Sequence, residues 1–165
     1  MNEEAQFRKE SAVRFERNFP GPINRVWEFL VDTKKLPAWF GDSVIEPRMG
    51  GAVKFMDGHV RGVITQWYPP RRLTYTWNVF APGQEESDYP ESYVSFKLQE
   101  QGKEVRLILD HLPVLERFEK QNAMGWHTFL DMLAASVSGK TVESREFYMK
   151  QNAARYGINL ANLVR

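Results

Sequence analysis

The chain contains no cysteine. Disulfides, thiolate metal sites and a cysteine nucleophile are therefore excluded. That composition suits a reducing compartment, and a cytoplasmic protein is expected. Histidine is also scarce, with three in 165 residues: His59, His111 and His127. No two of them stand four apart, the spacing that puts two ligands on one helical face, and no acidic cluster accompanies them. No metal site is expected, and no cofactor. No apolar run approaches the roughly 18 residues of a membrane span. A dominant charge is missing too. Lys and Arg number 22 against 21 Asp and Glu, a formal net charge of +1. With no basic stripe, nucleic-acid binding lacks an electrostatic footing. Neither a phosphate-cradling glycine loop nor a Gly-x-Ser-x-Gly elbow is present. The segment Met1 to Ser11 is polar and mixed in charge, unlike a signal peptide, and reads as a frayed start.

Aromatic residues, by contrast, make up 13% of the chain. At this length one domain is expected, able to bury about 70% of its unfolded surface. The rings fall in a fixed order. Trp27 lies on an early helical pattern, Trp39-Phe40-Gly41 follows, and Tyr75 and Trp77 sit in a central segment. Gly125-Trp126 opens a late amphipathic stretch.

The pattern along the chain reads as one strand, two short helices, about six strands and a long helix. Val13, Phe15, Arg17 and Phe19 share one face of the first strand. Arg17 is either an inward charge needing a partner or, at a sheet edge, a group reaching solvent; the second is expected. Pro22 suits the first turn of a helix carrying Ile23, Val26, Trp27 and Leu30. Asp32 reads as the N-cap of a second helix from Thr33 to about Ala38. Gly50-Gly51 opens a strand from Ala52 to Met56 that Asp57-Gly58 closes. Between Val60 and Trp67, parity places Val63, Thr65 and Trp67 on one face. Gly62 there signals a bulge or a close backbone approach. Leu73, Tyr75, Trp77 and Val79 share a face, as do Val94, Phe96 and Leu98, and then Val105, Leu107, Leu109 and His111. Residues 81–91 read as a polar loop. Trp126, Phe129, Leu130, Leu133 and Val137 form a helical stripe that Gly139 ends.

Antiparallel strands followed by a helix define an α+β fold. The architecture expected is a helix grip: a curved antiparallel sheet of six to seven strands wrapped around a long C-terminal helix, with two short helices after the first strand. The domain spans residues 12–139. Residues 140–165 form a helical extension whose apolar residues need a surface, either this chain's body or a second copy in a homodimer.

Together these landmarks resemble the activator of heat shock protein 90 ATPase homologue family, within the START-like (SRPBCC, Bet v 1-like) superfamily. The residues that carry the resemblance are Pro22…Val26-Trp27, Trp39-Phe40, Gly50-Gly51, Gly62, Pro70-Arg71-Arg72-Leu73…Trp77, Leu107…Leu109…His111 and Gly125-Trp126…Leu130…Leu133. It covers about residues 12–139; the tail departs from the usual family length. The resemblance implies the helix-grip fold. Superfamily relatives bind lipids, sterols, plant hormones or polyketides, and a few are cyclases or aromatases. The co-chaperone behind the family name, linked to stress response, carries a further N-terminal domain that this sequence does not encode.

A curved sheet over one helix leaves room for a pocket. The residues expected to line it are Trp39 and Phe40 after the second helix, Tyr75, Trp77 and His111 on the concave strand face, and Trp126 and Phe129 on the late helix. The same rings can instead pack together and fill the space. His111 either orients a ligand group or acts as acid or base, or is held by backbone or helix at its strand end. His127 is expected to face solvent, and His59 to be exposed in a turn. The first functional reading is a binding protein with an apolar cavity for a small hydrophobic or amphipathic molecule, without catalysis. The alternatives are a co-chaperone-like factor with a chaperone partner and a cyclase- or hydrolase-like enzyme using His111.

Overall fold

The computed structural model describes residues 3–164; Met1, Asn2 and Arg165 lie outside the described residues. Seven antiparallel strands form one sheet in the order β1-β7-β6-β5-β4-β3-β2. They are β1 (Ser11–Pro20), β2 (Val44–Ile45), β3 (Ala52–Phe55), β4 (Val60–Tyr68), β5 (Arg72–Val79), β6 (Ser92–Gln101) and β7 (Glu104–Val114). Helices α1 (Ile23–Val31) and α2 (Pro37–Phe40) follow β1. The long helix α3 (Glu119–Val137) follows β7 and a 3-10 turn at Glu116–Phe118, and α4 (Arg145–Tyr156) is the last helix among the described residues. This is the α+β helix grip that the order of signals predicts.

Alternation in the strands builds the concave face. Cross-strand pairing sets Leu73 beside Phe96, Phe96 beside Leu109 and Leu109 beside Phe15. One row further on, Tyr75, Val94, His111 and Val13 are neighbours, and Trp77 pairs with Ser92. The α3 stripe of Trp126, Phe129, Leu130, Leu133 and Val137 is buried against this face. Each such side chain, taken out of water, contributes on the order of 1.5–3 kcal/mol.

Four local expectations are corrected. The second helix begins at Pro37. Asp32 instead opens a helical turn before it, its side chain accepting the Lys34 amide at 2.8 Å and its carbonyl the Leu36 amide at 2.9 Å. Pro22 is the N-cap of α1, one position before the first turn. The register of β4 against β5 slips between Ile64 and Gln66. That bulge turns Trp67 to the face of Ile64, where it packs on Trp27 at 5.3 Å, while Val63 stays outside. A one-residue slip reverses every later side chain, and parity alone does not locate it. Lastly, Arg17 does not reach into solvent. It turns under α3 and meets Asp131 at 3.2 Å.

Gly62 answers a close approach. A Cβ there would stand 1.9 Å from the Thr76 carbonyl oxygen, so no larger residue fits without moving β5. Gly51 is similarly crowded, with the Glu46 carbonyl 2.0 Å from its missing Cβ.

The extension packs on its own chain. Ser144 caps α4 by accepting the Phe147 amide. Asn152, fully buried, donates to Thr128 Oγ1 at 3.1 Å and to Asp131 Oδ2 at 3.2 Å on α3. His127, expected at the surface, is covered by α4. Its Nδ1 lies 2.8 Å from the Tyr156 hydroxyl and its ring stands edge-on to Phe15. Burial, helped by Arg17, holds its pKa below the usual histidine value, with Asp131 opposing.

Candidate functional site

The seven residues predicted to line a pocket come together in one cluster. Its centre is Phe40, fully buried. Its ring stacks on Trp39 and on Phe55 at 4.5 Å each and meets Phe129 edge-on at 4.8 Å. Trp126 and Trp77 follow at 5.7 and 6.1 Å. The Trp39 indole N–H donates to the Phe29 carbonyl at 2.7 Å, so even its polar atom is satisfied. Tyr75 is buried, and burial raises its hydroxyl pKa well above the ordinary value. Trp39, Phe40, Tyr75, Trp126 and Phe129 thus face one another. They form a closed aromatic core, and none of the five borders the cleft described next.

Trp77 and His111 sit at the edge of that core and line a cleft of about 950 Å³. Its floor also includes Ser92 and Asn122. Tyr89 and Pro90 of the polar loop stand on one rim, with the Tyr89 ring edge-on to Phe118 at 5.6 Å. Further walls come from Arg8 to Ser11, Pro113 to Glu116 and Leu160 to Val164. His59, exposed as expected, also borders the cleft.

The floor is a fixed polar set in an aromatic frame. Trp126 Nε1, which can only donate, gives its hydrogen to His111 Nδ1 at 3.0 Å. Asn122 Nδ2 donates to the same atom at 3.1 Å. The imidazole proton is therefore on Nε2, which donates to Ser92 Oγ at 2.8 Å. Ser92 in turn donates to the Trp77 carbonyl at 3.3 Å. Burial depresses the His111 pKa to about 4. His111 is neutral at pH 7, and both of its nitrogens are occupied. Asn122 Oδ1 is different: it is buried and takes no hydrogen bond from the described residues. An acceptor in that position is costly unless something donates to it.

Ser92 and Asn122 were not singled out in the sequence, although both carry a signal. Ser92 has the inward parity of Val94, Phe96 and Leu98 on β6. Asn122 stands one helical turn before Trp126, on the same stripe of α3. The chain ends carry no such signal, because no periodicity joins them to the cleft. Among the described residues, no group of three or more His, Cys, Asp or Glu side chains is placed to hold a metal ion. No described helix is long and apolar enough to cross a membrane.

A curved sheet closed by one long helix, with a cleft where strand ends and helix start diverge, defines a START-like helix-grip domain. The family model for activator of Hsp90 ATPase homolog 1-like proteins matches residues 20–138, and the chain belongs to that family. Among solved structures, the protein encoded by gene BPP1335 of Bordetella parapertussis is similar at 26% identity and a TM-score of 0.69. The match covers 97% of this chain and 91% of that one. DynU16, from the dynemicin biosynthetic locus, is similar at 22% identity and TM-score 0.71 over 83% of this chain and 51% of that one. PFC0360w, an HSP90 activator from Plasmodium falciparum, matches at 16% identity and TM-score 0.64 over 79% and 97%. At those last two identities the likeness is one of fold. No curated protein matches the chain by sequence.

Proposed function

We propose that this protein binds a small amphipathic molecule in the cleft at the His111 end of the sheet. The observation that carries this reading is the cleft floor. It joins an aromatic wall, Trp77, to a rigid neutral set, His111–Ser92–Asn122, that holds one buried acceptor without a donor. Sites for small molecules combine apolar walls with a few placed polar groups in this way. The location of DynU16 in a biosynthetic locus is consistent with a small-molecule partner.

The same geometry speaks against His111 as a catalytic base. Its lone pair already takes two N–H donors, and a group with a pKa of about 4 is a weak base at neutral pH. Binding without turnover is the better reading. Native mass spectrometry of the protein from cells, before and after denaturation, tests it. A small mass lost on denaturation is expected, and Ser92→Ala and Asn122→Ala should reduce its occupancy. A protein that stays bare from cells and against a panel of lipids and aromatic metabolites would overturn the reading.

A second reading is a chaperone-activating factor. It is favoured by PFC0360w, of which nearly the whole chain superposes on this fold. It predicts a faster ATPase rate when the protein is mixed with a heat shock protein 90, and no change of rate would end it.

A further inference from the structure

The family match ends at residue 138, where the helix grip is already complete, yet the chain continues for another helix and a tail. Helix α4 is anchored firmly. Asn152 is bonded to Thr128 and Asp131, Asp131 is held in turn by Arg17, and Arg155 donates to Asn152 Oδ1 at 3.4 Å. Gly157 then ends the helix in the left-handed region, at φ 66. The Ile158 amide bonds back to Ala153 and the Gly157 amide to Ala154, a Schellman turn that sends the chain off at a defined angle. That direction leads to the cleft.

Residues 158–164 are attached far more lightly than α4. Beyond the turn itself, the hydrogen bonds recorded between this segment and the rest of the described chain come from one side chain. Gln121, on the first turn of α3, donates from Nε2 to the Val164 carbonyl at 3.1 Å and accepts the Val164 amide at 2.5 Å through Oε1. Leu160, Leu163 and Val164 border the cleft while keeping 37%, 41% and 47% of their surface in solvent. Gln121 itself lies beside Asn122 in the cleft wall. A rigid base, a turn and a free run latched at its far end make a strap.

We propose that residues 158–164 form a strap over the ligand cleft, latched by Gln121, and that its release governs entry and exit of the ligand. This rests on the binding reading above, and Gln121 acts as a positioning residue. The latch has the form of a single strand-like pair of hydrogen bonds, which water replaces readily when the strap swings away. Closed, the strap adds apolar surface to the wall facing Trp77. Loops of this kind set rates more than affinities.

The test compares the full chain with Gln121→Ala and with a chain ending at Ile158, which keeps α4 and its turn. The ligand-free readout is acrylamide quenching of Trp77 fluorescence, taken as the difference from the same chains carrying Trp77→Phe. Quenching of Trp77 should rise severalfold when the latch or the strap is removed, with the far-UV helix signal of α4 retained. The second readout is stopped-flow binding of 8-anilinonaphthalene-1-sulfonate, an amphipathic probe. Both association and dissociation should quicken by about tenfold in the two variants, with a smaller change in Kd. Unchanged quenching and unchanged rates would show a static wall and overturn the strap, whatever the affinity. Dye binding with normal rates would sink the strap and leave the binding reading standing. Increased Trp77 quenching with no dye bound in any form would support the strap and count against the binding reading.

Discussion

The two ends of the grip are built from the same kinds of residue and do opposite things. Around Phe40 the rings of Trp39, Phe55, Phe129 and Trp126 close on one another, and the one indole N–H of Trp39 is spent on a backbone carbonyl. Around His111, at the edge of that cluster, Trp77 faces a cleft and polar side chains are interleaved with the rings. The difference follows from what covers the sheet. Helices α1 and α2 lie over the first end and fill it with Leu30, Leu36 and Phe40. At the second end α3 is only beginning, and loops and chain ends replace helices. Packed rings serve stability; rings at a gap serve contact with something else. Trp77 belongs to both.

The largest effect is expected in the closed end. Phe40→Ala removes a ring with five aromatic neighbours. It should cost about 3–5 kcal/mol in urea unfolding. A loss under about 1 kcal/mol would mean that this end is not close-packed. Trp77→Phe should cost clearly less, because one side of Trp77 already faces the cleft.

Next comes pH. In the unfolded chain His111 titrates near 6.5, and in the folded protein at about 4. Between those values the unfolded chain binds more protons, so stability rises with pH across the window and is lost as pH falls through it. The full window corresponds to about 3 kcal/mol. His127, also lowered, acts in the same direction. The stability difference between the wild type and His111→Gln, followed from pH 7 to pH 4, should shift in favour of the variant on acidification. A difference independent of pH would show that His111 is not held neutral.

Asn152→Ala should cost about 2 kcal/mol, through Thr128 and Asp131 left without their buried donor. If α4 unfolds separately, the loss will appear as an early transition in hydrogen exchange at 145–156 with the sheet still protected.

The smallest change in stability belongs to the cleft. Ser92→Ala should cost about 1 kcal/mol in urea unfolding, the low end for a buried donor, His111 Nε2–H, left without its acceptor. The cleft loses the Ser92 hydroxyl, so ligand or dye affinity should fall by about tenfold, a larger effect than that on stability. Equal effects on the two would blur the contrast between the ends.

How much of this was legible in the sequence differs by feature. The strand alternation ending at His111, the α3 stripe from Trp126 to Val137 and the turn glycines are local regularities, and the architecture follows from them. The aromatic cluster was legible as a set of seven residues because Tyr75, Trp77, His111, Trp126 and Phe129 lay on an inward parity or stripe and Trp39 and Phe40 followed the second helix. Its division into a closed core and a cleft edge was not, since that depends on how far α2 reaches over the sheet. Trp67 was misplaced because the bulge near Thr65 leaves no mark in the residue pattern. His127 was misplaced because its cover, α4, comes from the far end of the chain, and Arg17 because its partner, Asp131, lies 114 residues away on α3.

The sequence alone determined the class of fold, because backbone hydrogen bonding and the burial of apolar faces act on patterns two to four residues long. It also ruled out thiolate chemistry through the missing cysteines. Tertiary structure decided what those patterns enclose. It set the tautomer of His111 through Trp126 and Ser92, the unpaired acceptor of Asn122, and the tail that returns to the cleft beside Gln121. Each of these joins residues far apart in the chain, and a contact of that kind exists only once the sheet has curved around its helix.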